Sequence, residues 1–312
     1  MHASESLGRC AWTSDRRIRD AFRHLVSQGE AFSPAPGLFV GRAYWAGCDA
    51  AARHLHIARA AGNKHPEWVF CGPTAALAHG LSISYRHLRK LHVVHATGGR
   101  WSSVSVEHYR SIGPSASFGD MVVAAQGLRL TSKERSVVDC MRAMEFADGL
   151  AVADSFLRQT GVDGVSLGQA VERCGAGLRG VGRARMVAAR ADGRSESGGE
   201  SIARARMIEL GFVAPELQAE FTDPMTGLTS RVDFLWELPD GSRVIGELDG
   251  RRKYVDPEMT GGRAMLDVLA DERLRESRLT RNARVLRFSY YDLQRPRYFA
   301  RLLDSFGVPR RC

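Results

Sequence analysis

The chain has 312 residues and a formal net charge of +9, a length that accommodates two domains and a basic balance that suits an anionic partner such as nucleic acid. No run approaches ~20 consecutive apolar residues and no basic-then-apolar leader opens the chain, so neither a membrane partner nor export is expected, and a cytoplasmic location is. The six cysteines form no C-x-x-C pair, which argues against a zinc ribbon or a disulfide framework. Arginine supplies almost all the positive charge: the only lysines are Lys64, Lys90, Lys133 and Lys253.

In chain order, residues about 12 to 45 read as a winged-helix unit. Ser14 is the expected cap of a helix whose apolar face includes Ile18, Phe22 and Leu25, and Leu38-Phe39-Val40 follows as a short strand. A second helix is expected from about Asp49 to Ala61, and a third around Gly72 to Gly80 with Pro73 at its start. Leu91-His92-Val93-Val94 and Val104-Ser105-Val106 flank Gly98-Gly99, the pattern of a hairpin. Gly127 to Leu130 is a further strand, and Thr131 or Ser132 caps the next helix. Residues 159–199 read as a basic helical segment and then a Gly- and Ser-rich linker, Asp192 to Gly199.

The last third changes character. A helix from Glu200 to Leu210 ends at Gly211; strands follow at Leu217–Phe221, Thr229–Trp236 and Val244–Leu248; a charged helix is expected over Arg263–Leu279, a strand at Val285–Phe288, and a closing helix over 291–306. The resulting fold class is α/β (α+β): a mixed sheet flanked by helices over 200–312, preceded by a winged-helix-containing α+β region over 1–158, of which about 46–158 is the α+β part.

The chemistry concentrates on two of those strands. Asp233 lies in Arg231-Val232-Asp233-Phe234, and Glu247 and Asp249 lie in Gly246-Glu247-Leu248-Asp249-Gly250, across one turn. Alternation sends Glu247 and Asp249 to the same face. Two carboxylates meeting on neighbouring strands repel unless a cation lies between them, which makes a divalent ion the natural partner. Surface acids on a solvated sheet are the plainer alternative. Glu200 either closes a capping box with Ser197 or joins the metal site. The ten histidines match no zinc spacing and read as structural or surface residues.

This ordered set resembles the very-short-patch-repair-like endonucleases of the PD-(D/E)XK nuclease superfamily. The resemblance covers roughly residues 195 to 308. It rests on Glu200-Ser201, Arg231 to Phe234, Gly246 to Gly250, Arg251-Arg252-Lys253-Tyr254, Asp271-Glu272-Arg273 and Val285 to Phe288. It implies a restriction-endonuclease-like sheet and a Mg²⁺ (or Mn²⁺)-dependent DNA endonuclease serving defence or repair. Asp233, Glu247 and Glu200 would be at the metal, Asp233, Glu247, Asp249 and Lys253 would be the catalytic set, and Arg251, Arg252 and Arg273 would contact nucleic acid. Asp249 stands where the parent motif carries lysine, and Lys253, four residues on, is the candidate replacement. That departure keeps open an alternative: a non-catalytic, antitoxin-like DNA-binding regulator that retains the nuclease fold.

Residues 12 to 158 more loosely resemble the antitoxin-type winged-helix proteins of abortive-infection systems. The shared features are Gly37 to Val40, Val69 to Leu81 and Thr131 to Asp139. The resemblance implies DNA recognition or a protein partner for this region. Arg16, Arg17 and Arg19, with Arg23, are the candidate recognition-helix cations, and a solvated basic face is the alternative.

Overall fold

The structure is a computed structural model and describes residues 1–96, 101–110, 122–222, 227–249, 280 and 283–311. Its backbone contacts divide the chain into two units, Met1–Ala191 and Asp192–Cys312. Both are α+β, with mixed sheets flanked by helices. Among the described residues no helix is long and apolar enough to cross a membrane.

The first unit opens with α1 (His2–Glu5) and α2 (Arg16–Ser27). Asp15, rather than Ser14, caps α2: its carboxylate accepts from the N–H groups of Arg17 and Ile18, and a negative cap also suits the positive end of the helix dipole. The hairpin of β1 (Ala31–Ala35) and β2 (Leu38–Gly41) follows, then α3 (Arg42–Ala46) and α4 (Ala50–Lys64), the latter capped by Asp49. Next come β3 (Val69–Phe70), α5 (Gly72–Ala78), a 3-10 turn at Tyr85–His87, β4 (Leu91–His95), β5 (Trp101–Ser102), β6 (Val106–Arg110), β7 (Val122–Ala125) and β8 (Leu128–Thr131). These strands form one sheet in the order β5-β6-β4-β3-β8-β7. Phe70, Val93 and Leu130 pack from it against Ala58 of α4 and Ala75 of α5. Ser132 caps α6 (Lys133–Ala143), which is followed by α7 (Phe146–Thr160), α8 (Gly164–Gly175) and α9 (Val181–Ala188).

One expectation changes here. β4 and β6 run parallel, so no tight Gly98-Gly99 hairpin joins them, because parallel strands need a crossover. Val104 is 96% exposed and lies outside the strand, and β5 is the antiparallel partner of β6; Gly98 and Gly99 lie outside the described residues. Within 159–199 the helical segment is α8 and α9, the two units divide at Asp192, where the linker was expected to begin, and α10 already starts at Gly198. Leu167, Ala170 and Val171 of α8 and Ala184 and Val187 of α9 are buried. Beyond Asp192, Ser195 is buried and accepts the Ser201 hydroxyl at 2.9 Å. Composition suggested a linker because small polar residues favour turns, yet the same small size lets them pack closely once their hydroxyls are paired.

The second unit begins at α10 (Gly198–Glu209), capped by Ser197. Its strands β9 (Glu216–Thr222), β10 (Thr229–Glu237), β11 (Arg243–Asp249) and β12 (Arg284–Ser289) lie in the order β12-β11-β10-β9. The β9–β10 and β10–β11 pairs are antiparallel, whereas β11 and β12 are parallel. α11 (Tyr290–Leu293) and α12 (Pro296–Ser305) follow β12. Ala203 and Met207 of α10, Leu293 of α11, and Phe299 and Leu303 of α12 share one core with Phe234, Trp236, Leu286 and Phe288 of the sheet. Ala219, Val232, Leu235 and Ile245 form a second cluster. Gly246 sits tightly against the aromatic core: a Cβ there would lie 3.1 Å from the Trp236 ring and 3.2 Å from Phe234 Cβ, so a side chain would have to push these neighbours aside. The residue before Glu247 therefore lets β11 close onto the aromatic core.

Candidate metal and nucleic-acid site

Asp233 stands where the β10–β11 ladder ends and the β9–β10 ladder skips one pair. The β10–β11 register runs from Glu237↔Arg243 to Phe234↔Gly246; one further step would set Asp233 across from Glu247. At that step the Asp233 carboxylate itself accepts the Leu248 N–H at 3.0 Å. On its other side β10 also breaks pattern. Ala219 pairs with Val232 and Leu217 with Phe234, but the pair between them, Gln218 and Asp233, is missing from the ladder. Gln218 adopts φ 53°, a left-handed conformation that costs a non-glycine residue of order 1 kcal/mol and recurs at functional sites.

Gln218 makes a specific contact from that conformation. Its Nε2 donates to Glu200 Oε2 at 3.0 Å. The same oxygen accepts the Glu196 N–H at 2.8 Å, and Oε1 accepts the Ser197 hydroxyl at 2.7 Å. Glu200 is 8% exposed. Burial pushes its carboxyl above the usual range; hydrogen bonds from Ser197 and Glu196 oppose the shift, and the Asp233 charge adds to it. Both alternatives for Glu200 therefore coexist. It belongs to the capping arrangement of α10, and it is also a buried acid near Asp233 whose donors among the described residues are neutral.

Glu247 is buried, at 5% exposed. It is paired in the parallel ladder with Arg287, and Asp249 is paired with Ser289. The Arg287 guanidinium donates to Asp249 Oδ1 at 3.2 Å. A cation thus stands on this part of the sheet, and it comes from β12 rather than from the Glu-x-Asp segment. Lys253, Arg251, Arg252 and Arg273 lie outside the described residues, as does the charged helix expected over 263–279. Among the described residues no group of three or more His, Cys, Asp or Glu is close enough to hold a metal by itself.

In the first unit, α2 buries none of its residues. Arg16 and Arg23 share Asp20, at 3.7 and 3.0 Å, while Arg17 is exposed and Arg19 half-buried. The histidines take structural partners. His54 bridges the Leu88 carbonyl and the Thr74 hydroxyl, and burial lowers its pKa. His92 meets the Tyr109 hydroxyl and is pushed down to about 4, mainly by burial.

One buried charged cluster had no sequence signature. Asp148 of α7 is 4% exposed. It accepts from Ser84 Oγ and Arg86 Nε, each at 2.7 Å, and meets His87 Nε2. Burial disfavours its charge, but the hydrogen bonds from His87, Ser84 and Arg86 outweigh burial and hold the carboxyl at about 2.

Comparison with protein-family models, curated proteins and solved structures finds no match to this chain.

Sequence reasoning had singled out Asp233, Glu247 and Glu200. It missed Gln218 and Arg287. Gln218 is marked only by its backbone conformation, and Arg287 only by the parallel register that sets it beside Glu247.

Proposed function

We propose that the second unit is a divalent-metal-dependent endonuclease acting on DNA, with Asp233 and Glu247 as the metal ligands and Glu200 beside them. The observation that carries this reading is the buried Glu200 carboxylate set near Asp233, its hydrogen bonds coming from neutral donors among the described residues. Burial, with the Asp233 charge adding to it, raises the Glu200 carboxyl, and among the described residues the hydrogen bonds to Glu200 and Asp233 come from neutral groups. A buried acid in the position of Glu200 is disfavoured as an anion, and a bound cation would offset that. All-oxygen donors suit Mg²⁺ or Mn²⁺, and Mg²⁺ commonly takes only one or two carboxylates and keeps several waters. A ligand set smaller than a closed three-residue cage therefore fits this ion.

When bound, such an ion polarises the phosphodiester and lowers the pKa of a water. The chain's own residues do the positioning. Leu248 N–H fixes the Asp233 carboxylate, while Gln218, Ser197 and the Glu196 N–H fix Glu200. Arg287, beside Asp249, supplies positive charge near a phosphate. Lys253 remains the candidate for the motif's lysine. The first unit would recognise DNA or a protein partner, a role supported by the exposed Arg17 on α2, whose other face packs through Phe22 on Phe39.

The regulator reading is favoured by one feature, Asp249 at the lysine position and its ion pair with Arg287. A plasmid-cleavage assay separates the two. The full chain should nick or linearise DNA with Mg²⁺ or Mn²⁺, not with EDTA, and Asp233→Ala should abolish the activity. Absence of metal-dependent cleavage in the parent protein leaves the regulator.

A further inference from the structure

Six arginines of the second unit have an acidic partner among the described residues. Arg194, Arg206, Arg231, Arg243, Arg287 and Arg310 pair with Asp192, Glu209, Glu196, Glu237, Asp249 and Asp304. Arg295, Arg297 and Arg301 are exposed and form no ion pair among the described residues. They sit on α12 and on the bend before it, and three exposed tyrosines accompany them. Tyr290 is 46% exposed, Tyr291 62% and Tyr298 38%. The Arg295 guanidinium lies 4.6 Å over the Tyr298 ring and 5.5 Å over the Tyr291 ring, which pre-orders the three side chains as a stack. The inward positions of the same helices are already filled by Leu293, Phe299 and Leu303, so the core does not need the tyrosines.

The location ties this patch to the carboxylates. Ser289, the last residue of β12, is paired with Asp249 of β11, and Tyr290 follows it directly. One strand spacing and one residue step, about 5 and about 4 Å, separate the Asp249 backbone from the start of the patch.

From exposed rings, unpaired guanidinium groups and this position, we infer that Tyr290, Tyr291, Arg295 and Tyr298, with Arg297 and Arg301, form a platform for single-stranded DNA beside the metal site. The inference rests on the nuclease reading for its substrate and names the form that substrate takes. Aromatic rings bind bases by their faces, and arginines hold the phosphates between them. In a duplex those faces are buried in the stack and offer the rings nothing. The platform therefore selects a single strand, or a strand already opened from its duplex, and the strand's next phosphate lies toward Asp249 and Glu247.

The test uses the full chain in EDTA, so that binding is read without cleavage. Fluorescence anisotropy would follow a labelled oligo-dT of about 16 nucleotides, a duplex of equal length and an oligo-U. Oligo-dT should bind more tightly than the other two. Tyr291→Ala should weaken oligo-dT about 10-fold, Tyr291→Phe should restore it, and the duplex affinity should not move. Because Tyr291 is largely exposed, Tyr291→Ala should melt with the parent protein. Independently, Arg297→Gln with Arg301→Gln should flatten the salt dependence of oligo-dT binding by a slope of about 1 to 2. Oligo-dT binding unchanged in Tyr291→Ala, a duplex bound as tightly as the single strand, or a preference for oligo-U would each overturn the assignment. A protein that binds oligo-dT through Tyr291 but never cleaves DNA with Mg²⁺ keeps the platform and loses the nuclease.

Discussion

Asp148 in the first unit and Glu200 in the second are both buried carboxyl groups with several hydrogen bonds, and their chemistry is opposite. Asp148 is surrounded by Arg86, His87 and Ser84, and its carboxyl is held at about 2. Glu200 receives only neutral donors, has Asp233 for a neighbour, and is pushed upward. Burial alone disfavours both anions. The partners decide the outcome: Arg86 and the other donors turn one acid into a pin between α7 and the Tyr85–His87 turn, whereas the neutral donors at Glu200 do not overcome burial, to which the Asp233 charge adds. A buried acid with its cation built in is architecture, and one without is a candidate ligand.

The sharpest way to break this contrast is to remove charge at each place and read metal binding. Asp233→Asn should lower Mn²⁺ affinity by at least about 100-fold in calorimetry, as the loss of a ligand to an oxygen-seeking ion requires. Asp148→Asn should leave that affinity unchanged. Equal losses in the two variants would show that the acids beside Glu200 have no special relation to metal.

A stability comparison comes next in size. Asp148→Asn leaves Arg86 and His87 facing a neutral group. We expect a loss of about 2 kcal/mol in urea unfolding, less than for a fully buried pair because Arg86 is 47% exposed. Glu200→Gln in EDTA at neutral pH should do the reverse, leaving stability unchanged or raising it by up to about 1 kcal/mol, since it removes a disfavoured anion. It should still weaken Mn²⁺ about 10-fold, the scale on which groups that shape a metal site act. A destabilisation by Glu200→Gln as large as that by Asp148→Asn would erase the distinction.

The pH dependence has the smallest amplitude and opposite signs. Asp148 is depressed in the folded state, so its contribution is present above the ordinary aspartate value, about 4, and is lost as pH falls toward about 2. Glu200 is raised, so its contribution is present below the ordinary glutamate value, about 4, and is lost as pH rises through its folded value. Added Mn²⁺ should cancel the second loss and leave the first untouched. Hydrogen exchange on peptides from each unit, measured across that range, reads the two separately. A loss at Glu200 that Mn²⁺ does not reverse would separate its titration from metal.

By itself the sequence determined the elements that depend on nearby residues. The helix opened by Ser197, the one opened by Asp49, and strands β9 to β12 follow from caps, turns and alternation that any short window contains. It also marked Asp233 and Glu247, because strand, turn and strand bring residues 14 apart to the same step. What depends on distant pairing was not legible. Two valine-rich segments around two glycines read as a hairpin, yet β4 and β6 are parallel, and only the sheet order decided that. The serine-rich stretch from Asp192 marks the boundary between the units, and that Ser195 is buried against the Ser201 hydroxyl was not legible in it. Gln218, Arg287 and the tyrosine–arginine stack acquire meaning only beside residues that register and packing bring to them. Local patterns encode backbone preference and burial, whereas the partner that sets a buried acid's charge comes from elsewhere in the chain and is chosen by the fold.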